Sequence, residues 1–209
     1  MNLGYACINT GLSANRIMTN RTMRRKTFDA QGIDYVSDLA LANVKDLKTI
    51  VQWNNEMGIK LFRLSSQIFP WSDEYDITHL KDYDEIAKLM LEVGQIATDG
   101  GQRLTMHPGP YNCLASPTQN VVDKTIRQLN FHSYQFNMMG YDPSPYNKIN
   151  IHVGGAYGDK KSTLARFCDN FHLLDDDTKK RLVIENDDSP NEYSVKDLFD
   201  SIYQVIDIP

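Results

Sequence analysis

Three side chains that commonly hold divalent metals fall at the same kind of position in this sequence. His107 closes the run QRLTMH (102–107), His152 lies near the end of KINIHVG (148–154), and Glu185 lies at the end of RLVIEN (181–186). Each run is short, rich in β-branched or aliphatic residues and bounded by polar or glycine-containing segments, which reads as a strand. In a parallel α/β architecture the C-terminal strand ends share one face, and active sites are built there. Two imidazoles and one carboxylate form a normal ligand set for Zn, Mn or Fe. A single histidine in a strand is more often a hydrogen-bonded core or surface group. Three donors at equivalent positions on successive strands make metal ligation the stronger reading.

Two turns that follow these histidines carry small residues and an aromatic. HPGPYNCLASP (107–117) contains Tyr111 and HVGGAYGDK (152–160) contains Tyr157. Small residues let a bulky substrate approach the backbone. An exposed tyrosine can stack on a base or fill a gap in a duplex. Tyr111 is read as functional and Tyr157 as a locally packed turn residue. Asp187 and Asp188 follow Glu185 closely; they either orient a ligand or belong to the cap region of the next helix. His132 falls in a helix and is read as structural, while His79 and His172 sit in polar contexts and read as surface residues.

The elements that would position these groups alternate. Strands are expected over 3–8 (LGYACI), 59–65, 102–107, 148–154 and 181–186, with amphipathic helices over 34–57, 82–98 and 118–139. Residues 160–180 read as helical but broken at the DDD run 175–177, and Ser194 is placed to cap a helix through Leu198, Ile202, Val205 and Ile206. Residues 9–33 read as a polar, basic segment. Strand and helix alternate five times, which implies a parallel sheet with crossover helices. TGLSANR after the first strand lacks the glycine spacing of a dinucleotide or Walker loop. The fold expected is therefore α/β, a (β/α) TIM-type barrel with about five to six βα units. A complete barrel has about eight strands and about 250 residues. Residues 1–209 are accordingly expected to form the N-terminal portion of a single barrel domain. An incomplete barrel has open strand edges that invite pairing between copies or edge rearrangement.

A formal net charge of −5 argues against binding nucleic acid through bulk positive charge, but acidic metal ligands count against that total while the cation they hold restores positive charge locally. Arg16, Arg21, Arg24, Arg25 and Lys26 form one stretch without an intervening acid, either a solvated basic loop or a phosphate contact. No apolar run approaches the roughly 20 residues of a membrane span, and MNLGYACINTGL has neither the charged nor the apolar region of a secretory leader. Three widely spaced cysteines, Cys7, Cys113 and Cys168, suit reduced thiols in an intracellular protein, cytoplasmic or nuclear.

Six segments together resemble the UV-damage endonuclease family: LGYACIN (3–9), TNRTMRRKTF (19–28), LFRLSSQIFP (61–70), MHPGPYNCLASP (106–117), INIHVGGAYGDK (149–160) and VIENDD (183–188). The resemblance implies a TIM-barrel DNA repair nuclease that cuts the backbone on the 5′ side of ultraviolet photoproducts, and commonly of abasic sites, in damaged double-stranded DNA. It implies a cluster of divalent metal ions (Mn, Mg or Zn), with His107, His152 and Glu185 matching three of the ligands. Tyr5 and Asn9 match strand-one residues that face the DNA, and Tyr111 matches one member of a lesion-probing pair. The basic stretch containing Arg21, Arg24 and Arg25, and Lys160 in the GDK turn, are expected to meet phosphates.

The sequence departs from the family in three ways. Pro110 precedes Tyr111 where many members have Gln, which bears on lesion preference. FPWSDEYD (69–76) lacks a His that many members carry there; Asp73 or Glu74 substitutes, or that ligand is missing. The family's remaining ligands lie on strands six to eight, beyond Pro209, so these 209 residues alone are expected to be impaired as a nuclease. Two other readings compete: a sugar isomerase-like barrel, which also places His and Glu at strand ends, and a non-catalytic damaged-DNA-binding fragment.

Overall fold

The computed structural model describes residues 3–189 and 192–209. It is an α/β structure whose chain divides into two compact units, residues 1–106 with 134–142 and residues 107–133 with 143–209.

In the first unit, β1 (Gly4–Ala6), β2 (Leu61–Leu64) and β3 (Arg103–Met106) pair in parallel and in chain order, with Tyr5 opposite Phe62 and Phe62 opposite Leu104. A ladder that advances in one direction is the winding of a barrel; a doubly wound sheet reverses its strand order. Alternation along β2 buries Phe62 and Leu64 and exposes Leu61 and Arg63. The covering layer is α2 (Arg25–Glu56) and α3 (Tyr83–Asp99), packed on each other. Val36, Ala40, Val44, Leu47 and Val51 of α2, and Ile86, Met90, Val93 and Ala97 of α3, are fully buried. Their helical spacing puts them on one stripe per helix, and each large aliphatic among them contributes about 1.5–3 kcal/mol by leaving water.

The helix expected from residue 34 begins earlier, at Arg25. Its first turns, RKTFDAQ, have almost no apolar residues, so hydrophobic periodicity could not reveal them. They are held instead by an Arg25–Asp29 pair one turn apart at 2.9 Å. Gly32, at φ 67° and ψ −161°, joins this short run to the amphipathic helix; an L-residue is strained there. A four-residue helix, α1 (Thr10–Ser13), also went unanticipated; Asn9 caps it by accepting from the Leu12 amide at 3.0 Å.

In the second unit, β4 (Ile149–Ile151) pairs in parallel with β5 (Leu182–Ile184). Helix α4 (Gln119–Met138) matches the expected span and contributes its residues up to Ser133 here. The broken helix is present as α5 (Lys160–Phe171) and α6 (Asp176–Lys179). Ser194 caps α7 (Val195–Ser201) as the sequence suggested, in a reciprocal capping box with Asp197. That helix stops short of Val205 and Ile206, which lie in a turn closed by the Ile206 amide on the Ile202 carbonyl. Ile149, Ile151, Val153, Leu164, Phe167, Leu182 and Ile202 build the core of this unit. No helix among the described residues is long and apolar enough to cross a membrane, and Cys7, Cys113 and Cys168 are unpaired.

Candidate metal site

The second unit brings His107, His152 and Glu185 together. Glu185 extends β5 by one rung, its amide donating to the Ile151 carbonyl at 2.8 Å, so its side chain leaves the strand end beside β4. His152 follows β4 directly, and His107 follows the last residue of β3 in sequence. One donor atom from each residue lies within 4.8 Å of the others. Nε2 of His107 is 3.3 Å from Glu185 Oε2, and the two imidazole centroids are 5.4 Å apart. Bonds of about 2.1 Å to a single ion hold donors at most about 4.2 Å apart, so the widest separation needs to close by only about half an ångström.

The Nδ1 nitrogen of each histidine lies beside an oxygen, hydrogen-bonded at His107 and in charge contact at His152. Nδ1 of His107 is 3.0 Å from the Pro108 carbonyl oxygen, leaving Nε2 toward Glu185. Nδ1 of His152 is 2.8 Å from Asp187 Oδ1. A backbone carbonyl or carboxylate beside the ring nitrogen that is not the ligand is usual around metal-ligating histidines. The donor set, its spacing and these outer contacts fit a divalent cation.

Two of the donors, His107 and His152, border an open cleft of about 250 Å³, whose walls also include Pro108, Pro110, Asn112, Gly154, Asp187 and Glu192. The base of the 107–117 loop is pinned. The Cys113 amide donates to Thr125 Oγ1 at 3.0 Å, and Asn170 and Arg166 donate to the Leu114 and Ala115 carbonyls at 2.7 and 3.1 Å. Gly154, at φ +100°, lies against the Cys113 thiol, where an added Cβ would sit 2.5 Å from the sulfur. The loop tip closes on itself, the Asn112 amide and Nδ2 both donating to the Gly109 carbonyl at 3.1 Å, and Tyr111, between cleft residues Pro110 and Asn112, is 90% exposed. Tyr157, at φ 47°, packs locally, with its hydroxyl 3.5 Å from Cys113 Sγ and its ring facing Arg166.

The other residues singled out from the sequence are placed less freely. Lys160 donates to the Glu192 carbonyl, lies 3.6 Å from Asp197 and covers the Tyr193 ring at 5.6 Å. In the first unit, the Tyr5 hydroxyl accepts from Asn9 Nδ2 and donates to Asn54 Oδ1 at 2.7 Å, its ring lies against Phe62, and burial pushes its pKa up. Asn9 is buried. Arg21 pairs with Asp46 at 2.6 Å and donates to the Met18 and Arg16 carbonyls. Arg25 pairs with Asp29 and Glu74 and faces the rings of Phe28 and Trp71, so Glu74, one of the two acids considered for the missing ligand, has a cationic partner. Arg24 is exposed. His132 is buried in α4, which pushes its pKa down to about 4, whereas His79 and His172 are exposed.

Sequence reasoning undervalued Asp187. The usable signal was its spacing of two from Glu185: in extended chain, alternate residues project to one side. Asp188, by contrast, is exposed.

A parallel α/β fold with two imidazoles and a carboxylate converging at strand ends defines a class: α/β proteins with a histidine–carboxylate cluster at the strand ends. Within it, the chain belongs to the UV-endonuclease UvdE family, whose model matches residues 1–209. It is 39% identical over 212 residues to the UV-damage endonuclease of Schizosaccharomyces pombe, covering 99% of this chain and 34% of that protein. It is 34% identical over 209 residues to the UV DNA damage endonuclease of Clostridium perfringens, covering 100% of this chain and 48% of that protein. The chain thus spans half or less of the length of these two relatives. Among solved structures it is similar to SacUVDE, with a TM-score of 0.85, 31% identity, and coverage of 98% of this chain and 66% of that one.

Proposed function

We propose that this chain supplies a metal-holding, lesion-contacting part of a UV-damage endonuclease that cuts DNA on the 5′ side of photolesions, with abasic sites as a second substrate class. The observation that carries the reading is the convergence of His107, His152 and Glu185 within 4.8 Å beside an open cleft, in a chain whose relatives are named UV-damage endonucleases. A divalent cation held by these three residues would supply the positive charge and the water activation that phosphodiester hydrolysis needs. His107 presents Nε2 because its Nδ1 is turned to the Pro108 carbonyl. Glu185, half exposed, supplies the anionic donor. Tyr111 offers an aromatic face to an unstacked base from a loop whose base is rigid. Pro110 brings no amide donor to the lesion, so stacking carries more of the recognition than hydrogen bonding does. Exposed Arg24 adds a phosphate contact.

The test is strand nicking by the full-length protein on a duplex carrying one defined photoproduct, with Mn²⁺ and then with EDTA. Cutting immediately 5′ of the lesion that stops with EDTA is the expected result. A full-length protein that leaves the duplex intact with metal present, or cuts equally well in EDTA, contradicts the proposal.

A further inference from the structure

Asp187 lines the cleft with its side chain only 10% exposed, against 47% for Glu185. It lies 2.8 Å from His152 Nδ1, a nitrogen shut off from solvent, in charge contact but off the axis along which that N–H would donate. The carboxylate is held from behind. The Asp187 amide donates to the Tyr193 carbonyl at 2.9 Å, and the Tyr193 amide returns a bond to Asp187 Oδ2 at 3.3 Å. Tyr193 is itself fully buried, and Lys160 lies over its ring and bonds the adjacent Glu192 carbonyl. Lys160, Tyr193, Asp187 and His152 therefore form a continuous brace ending at the imidazole.

We infer that Asp187 is a positioning residue for His152: it keeps the Nδ1 side of the ring occupied so that Nε2 faces the cation, and Lys160 with Tyr193 holds Asp187 in place. A half-buried carboxylate with one oxygen spent on a backbone amide has its other oxygen to direct at the ring. Its charge behind the ring favours a cation at the opposite nitrogen. Lys160 thereby acquires a positioning role in addition to the phosphate contact that the family resemblance implies. The inference rests on the proposed metal reading of His107, His152 and Glu185.

The experiment is calorimetric titration of the protein with Mn²⁺, paired with the absorption spectrum of the Co²⁺-loaded form as a report on coordination. Asp187→Ala is expected to weaken Mn²⁺ binding about 10- to 100-fold. Asp187→Asn, isosteric and still able to accept through its amide oxygen, is expected to fall between Asp187→Ala and wild type and to shift the Co²⁺ spectrum. If Asp187→Ala fails to fold, the Asp187→Asn result decides alone. Wild-type protein that binds Mn²⁺ while Asp187→Asn binds within twofold of it, with an unchanged Co²⁺ spectrum, overturns the inference and leaves the metal site standing. Wild-type protein that binds no Mn²⁺ overturns the metal reading, and this inference with it.

Discussion

The basic segment of residues 16–28 and the loop of residues 107–117 both read in sequence as surfaces for a polyanion, yet the fold uses them differently. In the basic segment two of the five cations are spent, while Arg16, Arg24 and Lys26 are exposed. Arg21 closes on Asp46 and two carbonyls, and Arg25 on two acids and two aromatic rings. In the 107–117 loop the polar work is done at the base, by Cys113, Leu114 and Ala115, and the tip carries a tyrosine with almost its whole surface in water. A run of arginines is therefore weaker testimony for a binding surface than one exposed aromatic on a pinned loop. Arginine has five donors to satisfy and folds onto nearby carbonyls and carboxylates when they are in reach.

Substitutions sharpen this contrast. Arg21→Ala should have the largest effect, costing about 2–3 kcal/mol of stability in urea unfolding, because Asp46 and two carbonyls lose a charged donor in a mostly buried setting. An unchanged unfolding midpoint would mean that Arg21 is not the strut described. Tyr111→Ala should leave that midpoint alone, since the ring is 90% exposed, but weaken binding to a lesion-bearing duplex about tenfold. Equal loss on undamaged duplex would reduce Tyr111 to a general contact. Arg24→Ala should be the mildest, with no stability change, a few-fold loss of affinity and a salt-dependence slope lower by about one. A steep stability loss there would erase the distinction drawn between Arg24 and its neighbours.

Much of this arrangement was legible before any coordinates. Strand ends at residues 107, 152 and 185 were readable because apolar runs of period two stop abruptly at polar residues, and parallel winding then places those ends on one face. The α3 span followed from a clean 3.6-residue stripe. Helix 25–31 was not legible because it is held by an ion pair and a glycine hinge, and neither leaves a hydrophobic period. The roles of Tyr5, Arg21, Arg25 and Lys160 were not legible because a side chain's partner is set by tertiary contacts. Asn54, Asp46, Glu74 and Glu192 lie between 25 and 49 residues away in sequence. Asp187 was half legible, since its spacing of two put it on the Glu185 side of an extended chain, but its partner His152 lies 35 residues away and is set by tertiary contact.

The most direct test of the central claim is Mn²⁺ binding, followed by electron paramagnetic resonance, in wild-type protein and in Glu185→Gln. Glu185→Gln keeps the shape of the donor and removes its charge. The site described here predicts that wild type binds the ion and that Glu185→Gln weakens binding at least about tenfold, as losing the one anionic donor of a His–His–carboxylate set requires. Equal Mn²⁺ affinity in the two proteins would contradict it, because the ion would then be held somewhere other than between His107, His152 and Glu185.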